Sequence, residues 1–227
     1  MDIHLWTTYI AASILIAVSP GSGAILSMSH GIRFGVKGTS ATICGLQCGL
    51  VVILLIAGAG VGSLLVASEV AFNIVKLLGA AYLIYIGFTQ WRATGSSLEI
   101  DSEIRFPGAS ELAVARSLSR ASAMPTWGRR CATGFFTNVT NPKGIVFMVA
   151  VLPQFISQDR PLGWQLLVMA LTTVTADVVV MHGYAFAGRS MQNLFRNVRA
   201  IKIQNRIFGG LLMAIGTGLL FVKRVGH

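Results

Sequence analysis

Charge is what this chain has least of. Only 11% of its 227 residues are Asp, Glu, Lys or Arg, and 54% are hydrophobic, where an ordinary soluble domain is roughly a quarter charged. That shortage excludes a typical soluble enzyme. From Thr39 to Ser68 there is no charged residue at all, a run longer than the ~20 apolar residues that cross a bilayer as a helix. An integral membrane protein is therefore expected. Cysteine is nearly as scarce. Cys44, Cys48 and Cys131 form neither a Cys-x-x-Cys pair nor a metal-ligand pattern with His, and their odd number argues against a disulfide framework. They read as small apolar packing residues, and neither a metal nor a cofactor is expected. The start, Met1-Asp2-Ile3-His4, lacks the basic cluster of a signal peptide, so the hydrophobic run behind it is read as a retained span.

Six hydrophobic segments are present, at about 5–27, 40–66, 70–90, 131–157, 162–187 and 206–222. They predict an all-α fold of six transmembrane helices. A net charge of +10 would suit a nucleic-acid partner, but the bases sit in short connections between apolar spans, where they orient a membrane protein. No nucleic acid is expected. The first, third and fifth connections carry thirteen bases, among them Arg33, Lys37, Arg129, Arg130, Arg199 and Arg206. The opposite face carries at most four, Arg160, Lys223, Arg224 and Lys76. The excess puts the odd connections in the cytoplasm and both termini outside. The polar stretch from Arg92 to Arg130 divides the chain into a first three-helix half (1–91), a cytoplasmic connecting loop (92–130) and a second three-helix half (131–227). Three spans per half force the halves into opposite orientations, the inverted-repeat arrangement.

Two of the spans contain helix breakers. Ser19-Pro20-Gly21 interrupts the first and Asn141-Pro142-Lys143-Gly144 the fourth. A proline removes a backbone donor and displaces the carbonyl one turn back, which a membrane tolerates only where protein or a wet cavity satisfies the freed groups. Breaks at matching places in two halves point to a binding site near the midplane. Half-helices starting at Pro20-Gly21 and Pro142-Lys143 would offer N–H groups and positive dipole ends to a carboxylate. Lys143 begins an otherwise uncharged run to Phe155, and Asp177 is the one charge between Pro161 and Gly188. Ionisable groups at that depth each oppose insertion by roughly 2.5–3.5 kcal/mol and mark functional sites. Lys143 could hold a substrate carboxylate, or pair with an acid or reach an interface. Asp177 could carry a proton or clamp an ammonium, or form a structural pair with Lys143. Gln47, Thr137 and Asn138 could meet substrate or bond a neighbouring helix, and His182, five residues beyond Asp177, reads as packing or pore wall. Gly45-x-x-x-Gly49, Gly58, Gly60 and Gly62 suit close helix packing within the bundle and leave room for a homodimer.

At these residues the chain resembles the lysine exporter family, in its homoserine/threonine resistance branch of bacterial amino-acid efflux proteins. The matching text is Ser19-Pro20-Gly21, the Gly31 to Gly38 turn leading to Gly45-x-x-x-Gly49, the run from Lys76 to Gly87, Gly134 to Asn138 through Asn141-Pro142-Lys143, Pro153-Gln154-Phe155, Asp177, and Arg206 to Gly210. The resemblance implies a six-span inner-membrane exporter that moves small amino acids or related metabolites out of the cell in exchange for protons. The substrate-binding set is then Ser19, Pro20, Gly21, Asn138, Asn141, Pro142, Lys143 and Asp177, with Asp177 coupling protons. Two positions depart from the family: Ser22-Gly23 stands where Pro-Asn is common, and Leu50 where a polar residue is frequent. Two other readings compete, a membrane thiol-disulfide electron carrier and a non-transporting membrane scaffold. The first needs paired cysteines near the breaks, where this chain has Ser19 and Asn141. The second leaves two buried charges idle. Metal export lacks a soft-ligand cluster.

Overall fold

A computed structural model describes residues 3–67, 69–92, 125–157, 160–190 and 198–221. Residues 93–124 of the long connection, Asp159, Arg196, Lys223 and Arg224 lie outside the described residues. The regular elements among those described are all helices, without a strand: α1 (Ile3–Val18), α2 (Ser22–Ala67), α3 (Glu69–Arg92), α4 (Trp127–Val139), α5 (Pro142–Val151) running into a 3-10 turn (Leu152–Phe155), α6 (Leu162–Ser190) and α7 (Val198–Phe221). Among the described residues two helices, Ser22–Gly60 and Leu162–Gly188, are long and apolar enough to cross a membrane. The α4–α5 pair, bent by 54°, makes a third if taken as one span. Large apolar side chains face outward on several helices, with Ile56, Leu78, Trp164 and Val179 each about two-thirds exposed. A surface of that kind fits lipid.

Both expected breaks are present. The first separates α1 from α2 at residues 19–21, and the second separates α4 from α5 at Thr140 and Asn141. The turn expected over Gly31 to Gly38 is sharper than the sequence suggests. Helix continues on either side of one non-helical residue, Gly35, at φ 70° and ψ 171°, a conformation that suits a residue without Cβ. Two further expectations are corrected. Arg129 and Arg130 belong to the first turn of α4 rather than to a loop, because Thr126 caps that helix by accepting from the Arg129 N–H. The last helix also begins earlier than 206, so Arg199, Lys202 and Arg206 ride on α7.

Glycines set how closely the helices approach. A Cβ on Gly31 would run into the backbone of Ala185, and one on Gly188 into Met28, so the start of α2 lies backbone to backbone on the end of α6. Beyond the Gly35 kink, Gly45 meets Cys131 and Gly134 meets Thr42, which binds α2 to α4. Gly87 and Gly209 join α3 to α7. Packing without side chains between backbones maximises dispersion contact where lipid offers no hydrophobic drive. Two apolar clusters fill the interior. The larger surrounds Tyr9, Leu54, Phe147, Leu152 and Met169; the smaller comprises Ala24, Ile43, Leu46 and Met181.

Candidate functional site

Between the two clusters lies a cavity of about 70 Å³, room for roughly five waters. Both helix breaks open onto it. Ser19 and Gly21 come from the first, Asn141, Lys143 and Gly144 from the second, Asn138 from the end of α4, and Asp177 from the middle of α6. The structure thus brings together Ser19, Gly21, Asn138, Asn141, Lys143 and Asp177 from the expected set. Pro20 and Pro142 shape the breaks without lining the cavity.

The second break is built locally. Pro142 occupies the first position of α5, where its missing N–H costs nothing, and Asn141 caps the helix by accepting from the Lys143 N–H at 3.1 Å. The Lys143 ammonium then stands at the positive end of its own helix, an unfavourable place for a cation. It is compensated from the other break. Its Nζ donates to the carbonyl of Ser19 at 2.7 Å and approaches that of Pro20 at 3.4 Å, oxygens left free just past the C-terminal end of α1. Tyr184 completes that end by donating to the Val18 carbonyl at 2.7 Å. Lys143 therefore ties the two breaks together. An ammonium has three donors, and these two carbonyls leave one.

Asp177 is held from α2. Gln47 Nε2 donates to its Oδ2 at 2.7 Å, so Asp177 and Lys143 each have their own partner while facing one cavity. Asn138 crosses to α2 through Nδ2, donating to the Leu46 carbonyl at 2.7 Å. Several buried polar atoms have no partner among the described residues, including Ser19 Oγ, Ser22 Oγ and Gln47 Oε1, which marks the neighbourhood of the breaks as polar beyond what helix packing needs. His182, read from its spacing as packing or pore wall, does not line this cavity and bonds the Val178 carbonyl and Ser40. Cys44 and Cys48 are exposed on α2, and neither they nor Cys131 lines the cavity.

Away from the cavity, near the Gly35 kink, a second group of side chains packs together. Arg130 donates to the Gly38 carbonyl at 2.7 Å and lies over the Phe34 ring. His30 packs edge-on against the same ring and bonds Thr42 at 2.6 Å. Sequence reasoning placed Arg130 in the cytoplasmic connecting loop and did not single out Tyr184, Ser13 or Thr173. A polar residue inside an apolar helix carries no signal of which neighbour it meets.

Residues 14–223 match the LysE type translocator family. The chain belongs to that family. It is 38% identical over 216 residues to the homoserine/homoserine lactone efflux protein of Salmonella typhi, covering 95% of this chain and 96% of that one. The protein of the same name from Salmonella typhimurium is 39% identical over the same shares. An uncharacterized membrane protein of Vibrio cholerae is 34% identical over 223 residues, 98% of this chain and all of that one. No solved structure matches. Family and apolar helices together make this a membrane-embedded transporter.

Proposed function

We propose that this translocator is a secondary exporter of small zwitterionic amino acids or related metabolites across the bacterial inner membrane, with homoserine and its lactone the first substrates to test. In this reading six spans form two inverted three-helix halves, both termini face the periplasm, and the halves rock about the breaks to expose the cavity to either side. The substrate carboxylate lies by the start of α2 and the remaining donor of Lys143. Its ammonium meets the Asp177 oxygen that Gln47 leaves free. Asp177 takes a proton when the substrate departs, which couples efflux to the proton gradient.

One observation carries the proposal: two helix breaks, a lysine and an aspartate, far apart in the chain, converge on one cavity between two apolar clusters. An anion binder would not need the acid, and a cation binder would not need the lysine. The helix pairing supports the inverted halves, since the first broken span lies against α6 and the second against α2, while α3 and α7 pair with each other. That is the exchange a two-fold axis between halves would produce.

The test is efflux from cells loaded with dipeptides of each amino acid, at matched membrane levels of wild type, Lys143→Ala and Asp177→Asn. Wild type is expected to release one small amino acid faster than control cells, both variants are expected to lose that advantage, and collapse of the proton gradient is expected to abolish it. Retention of full efflux by Asp177→Asn would remove that residue from the mechanism.

A further inference from the structure

The cavity wall changes character one turn away from the charges. On α6, Thr173 precedes Asp177 by four residues, ~6 Å along the axis, and both line the cavity. The lining contributed by the larger apolar cluster includes Leu50, Phe147 and Met148, and two hydroxyls, Ser13 and Thr173, also line the cavity. The hydroxyls form a chain. Tyr9 Oη and Thr173 Oγ1 are 2.6 Å apart, a short bond, whereas Ser13 Oγ stands 3.4 Å from Thr173 Oγ1, beyond the usual O–H···O range of 2.5–3.0 Å. All three residues are buried. Thr173 is thus engaged by Tyr9, and among the described residues the one side-chain contact of Ser13 Oγ is the long one to Thr173. A hydroxyl in an apolar wall is costly unless it has a partner.

We infer that Ser13, positioned by Thr173 and Tyr9, reads a hydroxyl at the tip of a short substrate side chain. This rests on the exporter reading above. With the ammonium at Asp177, a side chain of two carbons and a hydroxyl crosses one helical turn and arrives at Ser13. The apolar lining there suits the methylenes and offers no counter-charge to a longer basic or acidic side chain. A site that bonds a substrate hydroxyl rejects the isosteric methyl analogue because its own polar group is then left without a partner.

The experiment uses proteoliposomes of the full chain loaded with equal homoserine and norvaline, which differ by hydroxyl against methyl at the side-chain tip. Wild type is expected to release homoserine faster. Ser13→Ala is expected to lower the homoserine-to-norvaline ratio by about 3- to 10-fold, the worth of one hydrogen bond, and Ser13→Thr to preserve it. Thr173→Val, nearly isosteric, is expected to lower the same ratio. A ratio unmoved in Ser13→Ala, or equal loss of both rates in that variant, overturns the inference while leaving the exporter reading intact. Release of neither compound, nor of any other amino acid, by wild type overturns the exporter reading and this inference with it.

Discussion

Gln47 bonds through one end of its amide and, among the described residues, leaves the other idle. Its amide nitrogen donates to Asp177 Oδ2, while its Oε1 is buried without a partner among the described residues. Removing the donor would leave a carboxylate in the bundle interior short of its protein partner, and hydrogen bonds to charged groups are worth about 1.5–3 kcal/mol. Gln47→Leu is therefore expected to slow export by at least about ten-fold, read as initial efflux rate at equal membrane level, with Gln47→Glu failing to restore it because a second acid repels the first. Lys143 and Asp177 were legible in the sequence because a charge stands out in an apolar run. Gln47 was visible as a polar residue of undecided role. Ser13, Thr173 and Tyr184 were not visible at all, since a hydroxyl on a membrane helix can bond its own preceding turn as readily as another helix.

The breaks were equally legible at the level of elements, for a proline next to a glycine or an asparagine cap has few readings inside a hydrophobic segment. The packing between elements was less so. Of the glycines in α2, Gly45 lies against the Cys131 carbonyl, whereas a Cβ added to Gly60 would meet nothing within 4 Å, yet both look alike in sequence. Gly45→Ala is expected to force α2 from α4 and destabilise the protein by about 1–3 kcal/mol, the usual size of overpacking. Gly183→Ala, where a Cβ meets open space, is expected to be neutral or to add up to ~1 kcal/mol through helix propensity. Thermal unfolding of the purified variants in detergent compares them, and equal midpoints for both would show that the close approach carries no energy. The Gly35 kink also escaped notice. A span followed by a polar turn was expected, but a single left-handed residue suffices to redirect α2 from α6 to α4.

At the scale of the molecule, charge asymmetry argues for orientation. Arg33 and Lys37 near the kink, with Arg129 and Arg130 at the start of α4, gather on one side of the cavity. If that side is cytoplasmic, a C-terminal alkaline phosphatase fusion is expected to be active and a C-terminal green fluorescent protein fusion dark; the opposite pair of results would reverse the orientation. The same side holds the Arg130–Phe34–His30 cluster and the backbone contacts at Gly31 and Gly134.

Membrane residence, the all-helical class and the two breaks followed from composition and from local chemistry, because the bilayer forces every backbone group into internal bonds and leaves few elements to choose among. The resemblance to an exporter family followed from motifs in order along the chain. What only the tertiary structure decided is which distant groups meet: that Lys143 spends two donors on the opposite break, that Asp177 is held by Gln47, and that Ser13 faces the cavity beyond them. Those contacts depend on helix rotation and on backbone approach at particular glycines, quantities set by packing between segments more than a hundred residues apart and not by the pattern within any one of them.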